Sequence, residues 1–194
     1  MRCVALDFET TGVVKGWPNE PWQLGLVELV DGEPVPGTRW ETYFRVAADR
    51  PFSPRAPGRW AEVRTALAEA PTMMDVWPEL SARLVGVPLV AHNAATERTI
   101  LVRAAPLTPF GPWIDTLALV RKFWPLLKSY ALGDVIHTFG LRPRVDALCP
   151  GRTWHDALYD ACAGAVLLAH VQSLLKGTAY ENILAVSGRI TANR

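Results

Sequence analysis

Asp-Phe-Glu-Thr-Thr-Gly at residues 7–12 directly follows the apolar run Val-Ala-Leu at residues 4–6. The run predicts a strand, and side chains two positions apart in a strand point to the same face. Asp7 and Glu9 would therefore present two carboxylates side by side, and without a counter-charge one of them would be forced to protonate. Hard oxygen ligands of this kind suit Mg²⁺ or Mn²⁺ rather than zinc. The alternative for this hexapeptide alone is an ordinary polar strand end followed by a turn.

The stretch Ala-His-Asn-Ala-Ala-Thr-Glu, residues 91–97, contains a further acidic position. If Asn93 caps a helix, Glu97 shares one helical face with apolar residues and points to the buried side. A carboxylate in that position is unfavourable unless it is paired or bound to a cation. The alternative is a salt bridge between Glu97 and Arg98 or Arg103.

The third polar stretch is Trp-His-Asp-Ala-Leu-Tyr-Asp-Ala at residues 154–161. Asp160 shares a helical face with Gly164 and with the apolar residues that follow, so it also points at the core. His155 lies five positions earlier, about 140° away around a helix of ~3.6 residues per turn. The two side chains converge only if His155 lies on the loop before the helix, with Asp156 as the predicted cap.

One strand and two helices thus direct four acids and a histidine inward, and their order resembles the DEDD superfamily of 3′→5′ exonucleases, in the subtype with a histidine base. The proofreading epsilon subunit of bacterial DNA polymerase III and ribonuclease T belong to this superfamily. Three motifs carry the resemblance in chain order: Asp7 with Glu9, residues 91–97, and His155 with Asp160. The resemblance spans roughly residues 1–175. The chain departs from the pattern at Glu97, where the superfamily normally has Asp.

The resemblance implies a catalytic site with two divalent metal ions, Mg²⁺ or Mn²⁺, and with His155 as general base. The implied metal ligands are Asp7, Glu9, Asp160 and Glu97, the last of these acting directly or through a water molecule. The implied substrate-binding residues lie in the first two motifs: Phe8, Thr10, Thr11, Gly12, His92 and Asn93. Phe8 and Trp17 are expected to stack on terminal bases, a contact that tolerates any sequence.

Composition is consistent with one compact domain, which we expect to span residues 1–176 and to be followed by a short C-terminal tail, residues 177–194. Apolar residues make up 49% of the 194 residues and charged residues 20%, which argues against disorder. No apolar run approaches the ~20 residues that would span a bilayer, so no membrane partner is expected.

Three cysteines stand far apart in the sequence, at Cys3, Cys149 and Cys162. Because they show no metal-ligand spacing, we expect buried or free thiols and a reducing, cytoplasmic location. The net charge is only +1, but several arginines concentrate between residues 39 and 64 and suggest that one face is more basic than the average. For any single one of them, an ordinary solvated surface position is an equal alternative.

Hydrophobic periodicity predicts an α/β fold with a mixed sheet. Strands are predicted near residues 2–9, 22–31, 38–47, 86–91 and 112–114. Helices are predicted at residues 60–70, 74–85, 94–104, 115–123, 130–139 and 156–175, with Asp115 as the cap of one of them. The resemblance implies an RNase H-like exonuclease fold, in which a mixed five-stranded sheet is flanked by helices and the second strand is antiparallel.

The predicted function is metal-dependent 3′→5′ exonuclease action, releasing nucleoside monophosphates from single-stranded DNA or RNA 3′ ends, with DNA favoured. One alternative is a nucleic-acid-binding or polymerase-accessory module of the same fold with weak or lost catalysis, which only Glu97 supports. Another alternative is an endonuclease of the same fold. The remaining four motif residues favour an active enzyme, and the Thr-Thr-Gly after the acids favours one that acts at chain ends.

Overall fold

A mixed β-sheet forms the centre of the protein in a computed structural model, which describes residues 2–175 and Ile183. Its strands are β1 (Arg2–Thr10), β2 (Pro21–Val30), β3 (Glu33–Pro34), β4 (Trp40–Tyr43), β5 (Leu89–Ala91) and β6 (Trp113–Asp115). The order is β3-β2-β1-β5-β6, and β4 also pairs with β2. β1 is antiparallel to β2 and parallel to β5, and β6 is parallel to β5.

Helices cover both faces of the sheet. They are α1 (Trp60–Glu69), α2 (Trp77–Leu84), α3 (Ala95–Ala104), α4 (Thr116–Phe123), α5 (Leu132–Thr138), α6 (Arg142–Leu148) and α7 (Ala157–Leu174). Alternate residues of β1 point to opposite faces, as the strand period requires. Val4 and Leu6 pack with α2 and α3, whereas Cys3 and Ala5 pack with α4, α5, α6 and α7.

The predicted fold class, an RNase H-like mixed sheet flanked by helices with an antiparallel second strand, is confirmed. The two-residue strand β3 brings the described sheet to six strands instead of five. The sequence analysis did not predict α6, although the proline in its first turn is compatible with a helix start, where backbone N–H groups need no helical partner. The predicted buried state of all three cysteines is confirmed.

The long helix α7 forms the central support of one face. Thirteen of its 18 residues are buried. By length and composition alone α7 could cross a membrane, but its burial is that of a core helix. The predicted C-terminal tail lies outside the described residues except for Ile183, which packs into the same core cluster as α7.

A close approach between α7 and β2 sets the position of the helix. A Cβ atom on Gly25 would lie 2.2 Å from the backbone of Leu158, so only glycine fits there. Gly25 is also the β2 partner of Asp7 in the β1–β2 ladder. Two positions earlier, the buried side chain of Gln23 accepts a hydrogen bond from the Ala157 N–H at 3.2 Å. The first turn of α7 is therefore held directly over the acidic end of β1.

We expect Gly25→Ala to destabilise the protein by about 3 kcal/mol or more, because the added methyl group meets helix backbone that no side-chain rotation can move aside. Thermal unfolding followed by circular dichroism measures the effect. Gly164→Ala is the matched control, since it lies in α7 and a methyl group there would enter open space, so the change should be neutral or stabilising by about 0.5–1 kcal/mol. Equal melting temperatures for Gly25→Ala and the native chain would contradict the close approach.

Candidate active site

Four carboxylates from three elements converge at the carboxyl end of β1. Asp7 and Glu9 come from β1, Glu97 from α3 and Asp160 from α7. Burial raises the pKa of Asp7 well above its usual range, and the negative charges of Glu97, Asp160 and Glu9 raise it further. The structure therefore brings together all four acids that the sequence predicted to point inward.

The other three acids also have raised pKa values, in each case mainly because of burial. Burial and the neighbouring charge of Asp160 raise the pKa of Glu9 to about 8. Burial raises the pKa of Glu97 to about 8, although the backbone N–H of Phe8 partly offsets the shift. Burial raises the pKa of Asp160 to about 7, although a hydrogen bond from the backbone N–H of His155 opposes this rise. Among the described residues, no cationic side chain forms an ion pair with any of these four acids.

Glu97 faces this cluster and not the surface arginines. It is only 4% exposed, and its Oε2 atom has no hydrogen-bond partner among the described residues. Within the same part of the chain, no ion pair joins Glu97 to Arg98 or Arg103. The alternative in which Glu97 forms a surface salt bridge is therefore wrong, and the residue belongs to the acidic cluster.

The donor atoms of the cluster fit a divalent metal ion. The ligand atoms of Glu9, His155 and Asp160 all lie within 4.8 Å of one another. Oδ1 of Asp160 is buried without a hydrogen-bond partner among the described residues, as is Oε2 of Glu97. Buried carboxylate oxygens without donors are unfavourable unless a cation binds them. A set dominated by carboxylate oxygens suits a hard ion such as Mg²⁺ or Mn²⁺.

His155 lies on the loop immediately before α7, as predicted. Its side chain is exposed and its backbone has φ 64°, a left-handed conformation. The backbone N–H of His155 donates to Oδ2 of Asp160 at 3.2 Å. Asp156 caps the helix by accepting the N–H groups of Leu158 and Tyr159, which confirms the predicted cap. This sharp turn lets His155 and Asp160 converge although they would diverge on a continuous helix.

The predicted cap of α3 is wrong. Ala94 occupies the N-cap position, and Asn93 has φ 74° with its side chain making no cap bond. The backbone N–H groups of Asn93 and Ala94 instead donate to Asp115, at 3.1 and 3.3 Å. Asp115 also caps α4, as predicted, by accepting from Leu117 and Ala118. One carboxylate at the end of β6 thus caps α4 and also holds the turn that precedes α3.

His92 has a structural role. Its Nδ1 atom lies 3.0 Å from the hydroxyl of Thr116, and its Nε2 atom lies 2.8 Å from the carbonyl oxygen of Tyr130. Burial lowers the pKa of His92, which is consistent with a neutral ring between these partners. Neither ring nitrogen is left for the substrate contact that the resemblance implied.

Two of the other implied substrate residues point away from the site. Phe8 is 5% exposed and packs against Phe44, with ring centroids 6.2 Å apart, so the predicted stacking of Phe8 on a base is wrong. Thr11 is fully buried, and its hydroxyl accepts hydrogen bonds from Arg50 and from the Glu20 N–H. The alternation along β1 explains the position of Phe8, since the motif acids and Phe8 lie on opposite faces.

Among the implied substrate residues, Thr10 and Gly12 are partly exposed at the end of β1, and Asn93 is exposed in the turn before α3. Gly12 has φ 72°, and a Cβ atom there would lie 2.7 Å from Cβ of Ser53. Trp17, on the loop that follows, is 42% exposed. Their contacts with a nucleic-acid end stay a prediction.

Arg50 is a residue whose role the sequence analysis missed. It was counted among the arginines of a basic face, but it is 1% exposed. Its guanidinium donates to the Thr11 hydroxyl and to the carbonyl oxygen of Pro18, and it lies 5.2 Å from the centroid of the Trp17 ring. Arg50 therefore holds the loop that follows the first motif. Its contacts join residues far apart in the chain, so local spacing gives no sign of them.

Other arginines of the same region also serve the fold. Arg39, Arg45 and Arg64 donate to backbone carbonyl groups, and Arg59 pairs with Glu62. The predicted basic face between residues 39 and 64 is thus largely committed to structural contacts. On α3 and α4, by contrast, Arg98, Arg103, Arg121 and Lys122 form no ion pair with a described carboxylate.

The raised pKa values predict that the metal-free protein loses stability as pH rises from about 5 to about 8. Unfolded carboxyl groups titrate near 4, whereas Glu9 and Glu97 titrate at about 8 in the folded chain. Between these limits the native state binds more protons than the unfolded state, so the free energy of unfolding falls with pH.

Urea unfolding in the presence of a chelator measures this dependence. Glu9→Gln should flatten it, and added Mg²⁺ should restore more stability at the upper end of the pH range than at the lower end, because metal binding must displace fewer protons there. A stability that rises over this pH range in the chelated protein would contradict the arrangement of buried, unpaired acids.

The topology and the acidic site together define an exonuclease of the RNase H-like class. A family model described as exonuclease, of the RNase T type, matches residues 4–168, and the chain belongs to this family. More particularly, it is a 3′→5′ exonuclease of the DEDD superfamily, in the histidine subtype. This identification confirms the predicted enzyme class and favours the exonuclease over the accessory module and the endonuclease.

Individual relatives agree with the family. Exodeoxyribonuclease 10 of Escherichia coli (strain K12) is 31% identical over 184 residues, which cover 95% of this chain and 74% of that protein. A DNA polymerase III subunit epsilon-like protein of Rhodobacter capsulatus is 26% identical, over 94% of this chain but only 25% of that protein. The solved structure of exonuclease X in complex with 5′ overhanging duplex DNA superposes with a TM-score of 0.70 at 29% identity, covering 96% of this chain and 99% of that one.

Proposed function

We propose that this exonuclease removes nucleoside 5′-monophosphates from the 3′ ends of single-stranded DNA, with two divalent metal ions held by Asp7, Glu9, Asp160 and Glu97. The observation that carries the proposal is the cluster of four buried or half-buried acids with raised pKa values, beside a loop histidine. The preference for DNA over RNA is supported by the likeness to exodeoxyribonuclease 10 and to exonuclease X, whose structure contains DNA.

His155 is proposed as the general base. Its imidazole accepts a proton from the attacking water as the water oxygen bonds to the phosphorus atom and the bond to the 3′ oxygen of the preceding nucleotide breaks. Its place on an exposed loop within 4.8 Å of Glu9 and Asp160 ligand atoms supports this role, since the ring can reach a water beside the acids. Bound divalent ions would supply the positive charge that stabilises the attacking and leaving oxygens.

The acids have distinct roles in this proposal. Asp7 lies centrally, because its carboxylate interacts with those of Glu97, Asp160 and Glu9, and it would hold metal together with them. The longer side chain of Glu97, compared with the usual Asp, reaches further by about one C–C bond, ~1.5 Å. Its buried Oε2 atom without a described donor supports a ligand role for this residue.

Specificity for chain ends is assigned to the turn at Thr10 and Gly12. These residues close the end of β1, and the loop beyond them is fixed from behind by Arg50. A fixed loop at this position would meet the terminal nucleotide and leave no path for a strand to continue. The backbone of this turn is proposed to contact the terminal 3′ hydroxyl.

Digestion of end-labelled oligonucleotides tests the reaction. With a 3′ label, labelled mononucleotide should appear at once, whereas a 5′ label should give a ladder of progressively shorter strands. DNA should be degraded faster than RNA of the same sequence. Internal fragments as the earliest products of either substrate would contradict exonuclease action.

Asp7→Asn should abolish both the activity and the rise in melting temperature on addition of Mg²⁺ or Mn²⁺, because ligand binding to the native state is what stabilises it. Differential scanning fluorimetry and the labelled-strand assay measure the two effects. Asp49→Asn, the same change at an exposed position, is the control and should retain both. A full thermal shift in Asp7→Asn would remove Asp7 from the metal ligands.

His155→Ala should lower kcat by roughly 10²–10⁴-fold, since that is the usual contribution of a positioned proton acceptor. The metal-induced thermal shift should remain close to the native one, because the four acids are unchanged. Lys128→Ala, which removes another exposed basic side chain, is the control and should keep the native turnover. Turnover at the native rate in His155→Ala would show that another group activates the water.

A further inference from the structure

A large cleft lies beside the edge strand β6, between α3 and α4. Its volume is about 900 Å³. Trp113 and Asp115 of β6 line its base, and Val102, Leu117 and Ala118 add apolar surface. β6 is the last strand in the described sheet order, and the two helices pack on opposite faces of the sheet, so the cleft follows the sheet edge.

Four cationic side chains surround this cleft. Arg98 and Arg103 come from α3, and Arg121 and Lys122 come from α4. All four are exposed, and among the described residues none forms an ion pair with a carboxylate. The arginines that do form ion pairs with described carboxylates all lie outside the cleft. A local concentration of four positive charges is therefore notable in a chain whose net charge is only +1.

The cleft opens at the same end of the sheet as the acidic site. β1, β5 and β6 are parallel, so their carboxyl termini lie at the same end of the sheet. Helix α3 contributes to both the acidic site and the cleft, because Glu97 faces the acids while the next residue, Arg98, lines the cleft. Arg103 also donates to the carbonyl oxygen of Asn19 at 2.9 Å, on the loop that follows the first motif.

We propose that this cleft, bounded by Arg98, Arg103, Arg121 and Lys122, binds the part of the substrate strand that lies 5′ of the terminal nucleotide. This inference rests on the proposed function. The cations would neutralise successive phosphates, and the apolar wall would contact sugars and bases without reading sequence. The protein would then hold its substrate at two places, the chain end in the acidic site and the upstream strand along β6.

Charge limits the choice of occupant to an anion, because four cationic side chains bound the cleft. An acidic peptide of a protein partner has the right sign, but the cleft adjoins the site of a polyanionic substrate, which favours the nucleic acid. The acidic peptide is one of the outcomes that the experiment distinguishes.

The test variant is Arg98→Gln with Lys122→Gln, one change on each wall. Neither side chain donates a hydrogen bond to a described residue, so the fold should be unaffected. Kinetics are measured on a long single-stranded DNA and on a dinucleotide, which is too short to reach the cleft. The expected result is a KM about tenfold higher for the long strand with an unchanged kcat/KM for the dinucleotide.

Salt dependence gives a second readout. Loss of two phosphate contacts should reduce the slope of log Kobs against log salt concentration by about 1.4 for a single strand. Arg2→Gln with Arg144→Gln is the matched control, because it removes two cations at the opposite end of the sheet. An unchanged KM and salt slope for the long strand, or an equal loss on both substrates, would overturn the proposal.

Binding measured without cleavage separates this inference from the proposed function. Fluorescence anisotropy of a labelled DNA strand in the presence of a chelator should show the same loss of affinity in the double variant. If the native protein cleaves neither substrate but still binds DNA through Arg98 and Lys122, the proposed reaction fails and the cleft assignment stands. Binding of poly-glutamate that depends on these two residues, with DNA affinity unaffected, would assign the cleft to an acidic protein instead.

Discussion

The contact between α7 and β2 at Gly25 is the constraint on which the active site depends. The helix backbone lies against the sheet where no side chain intervenes, and Gln23 fixes its first turn through Ala157. Because Gly25 pairs with Asp7, this contact sets the distance between α7 and the motif acids of β1. Asp160 and His155 arrive at the acids only because the helix can approach this closely. A residue with no functional group thus determines the geometry of the groups that have one.

Around that contact the protein concentrates negative charge that its own residues do not balance. The pKa values of the four acids are raised chiefly by burial, and each acid adds to the repulsion felt by Asp7. By contrast, Arg50 holds the loop that follows the first motif, and the four cations of α3 and α4 line the neighbouring cleft. The absence of a paired cation from the described acidic cluster fits a divalent metal ion, which carboxylate oxygens suit as ligands.

Sequence reasoning located the residues whose positions follow from local periodicity. Alternation along β1 placed Asp7 and Glu9, and the loop before α7 was required for His155 to approach Asp160. It failed where the outcome depends on contacts between distant residues. Asn93 lies in a turn that Asp115 of the next strand holds by its backbone N–H group, and Arg50 is buried because it binds a loop that comes much earlier in the chain. Neither contact can be predicted from the spacing of neighbouring residues in the sequence.

The buried acids also mean that selection for robustness and selection for catalysis act in opposite directions on the same positions. In a chelating medium, substitutions that replace one of these carboxylates by a neutral side chain remove repulsion and should be enriched in any screen for heat resistance. Such a screen would enrich inactive proteins. Directed evolution of this enzyme toward higher thermal tolerance therefore has to be carried out with divalent metal present, or with activity as a second criterion.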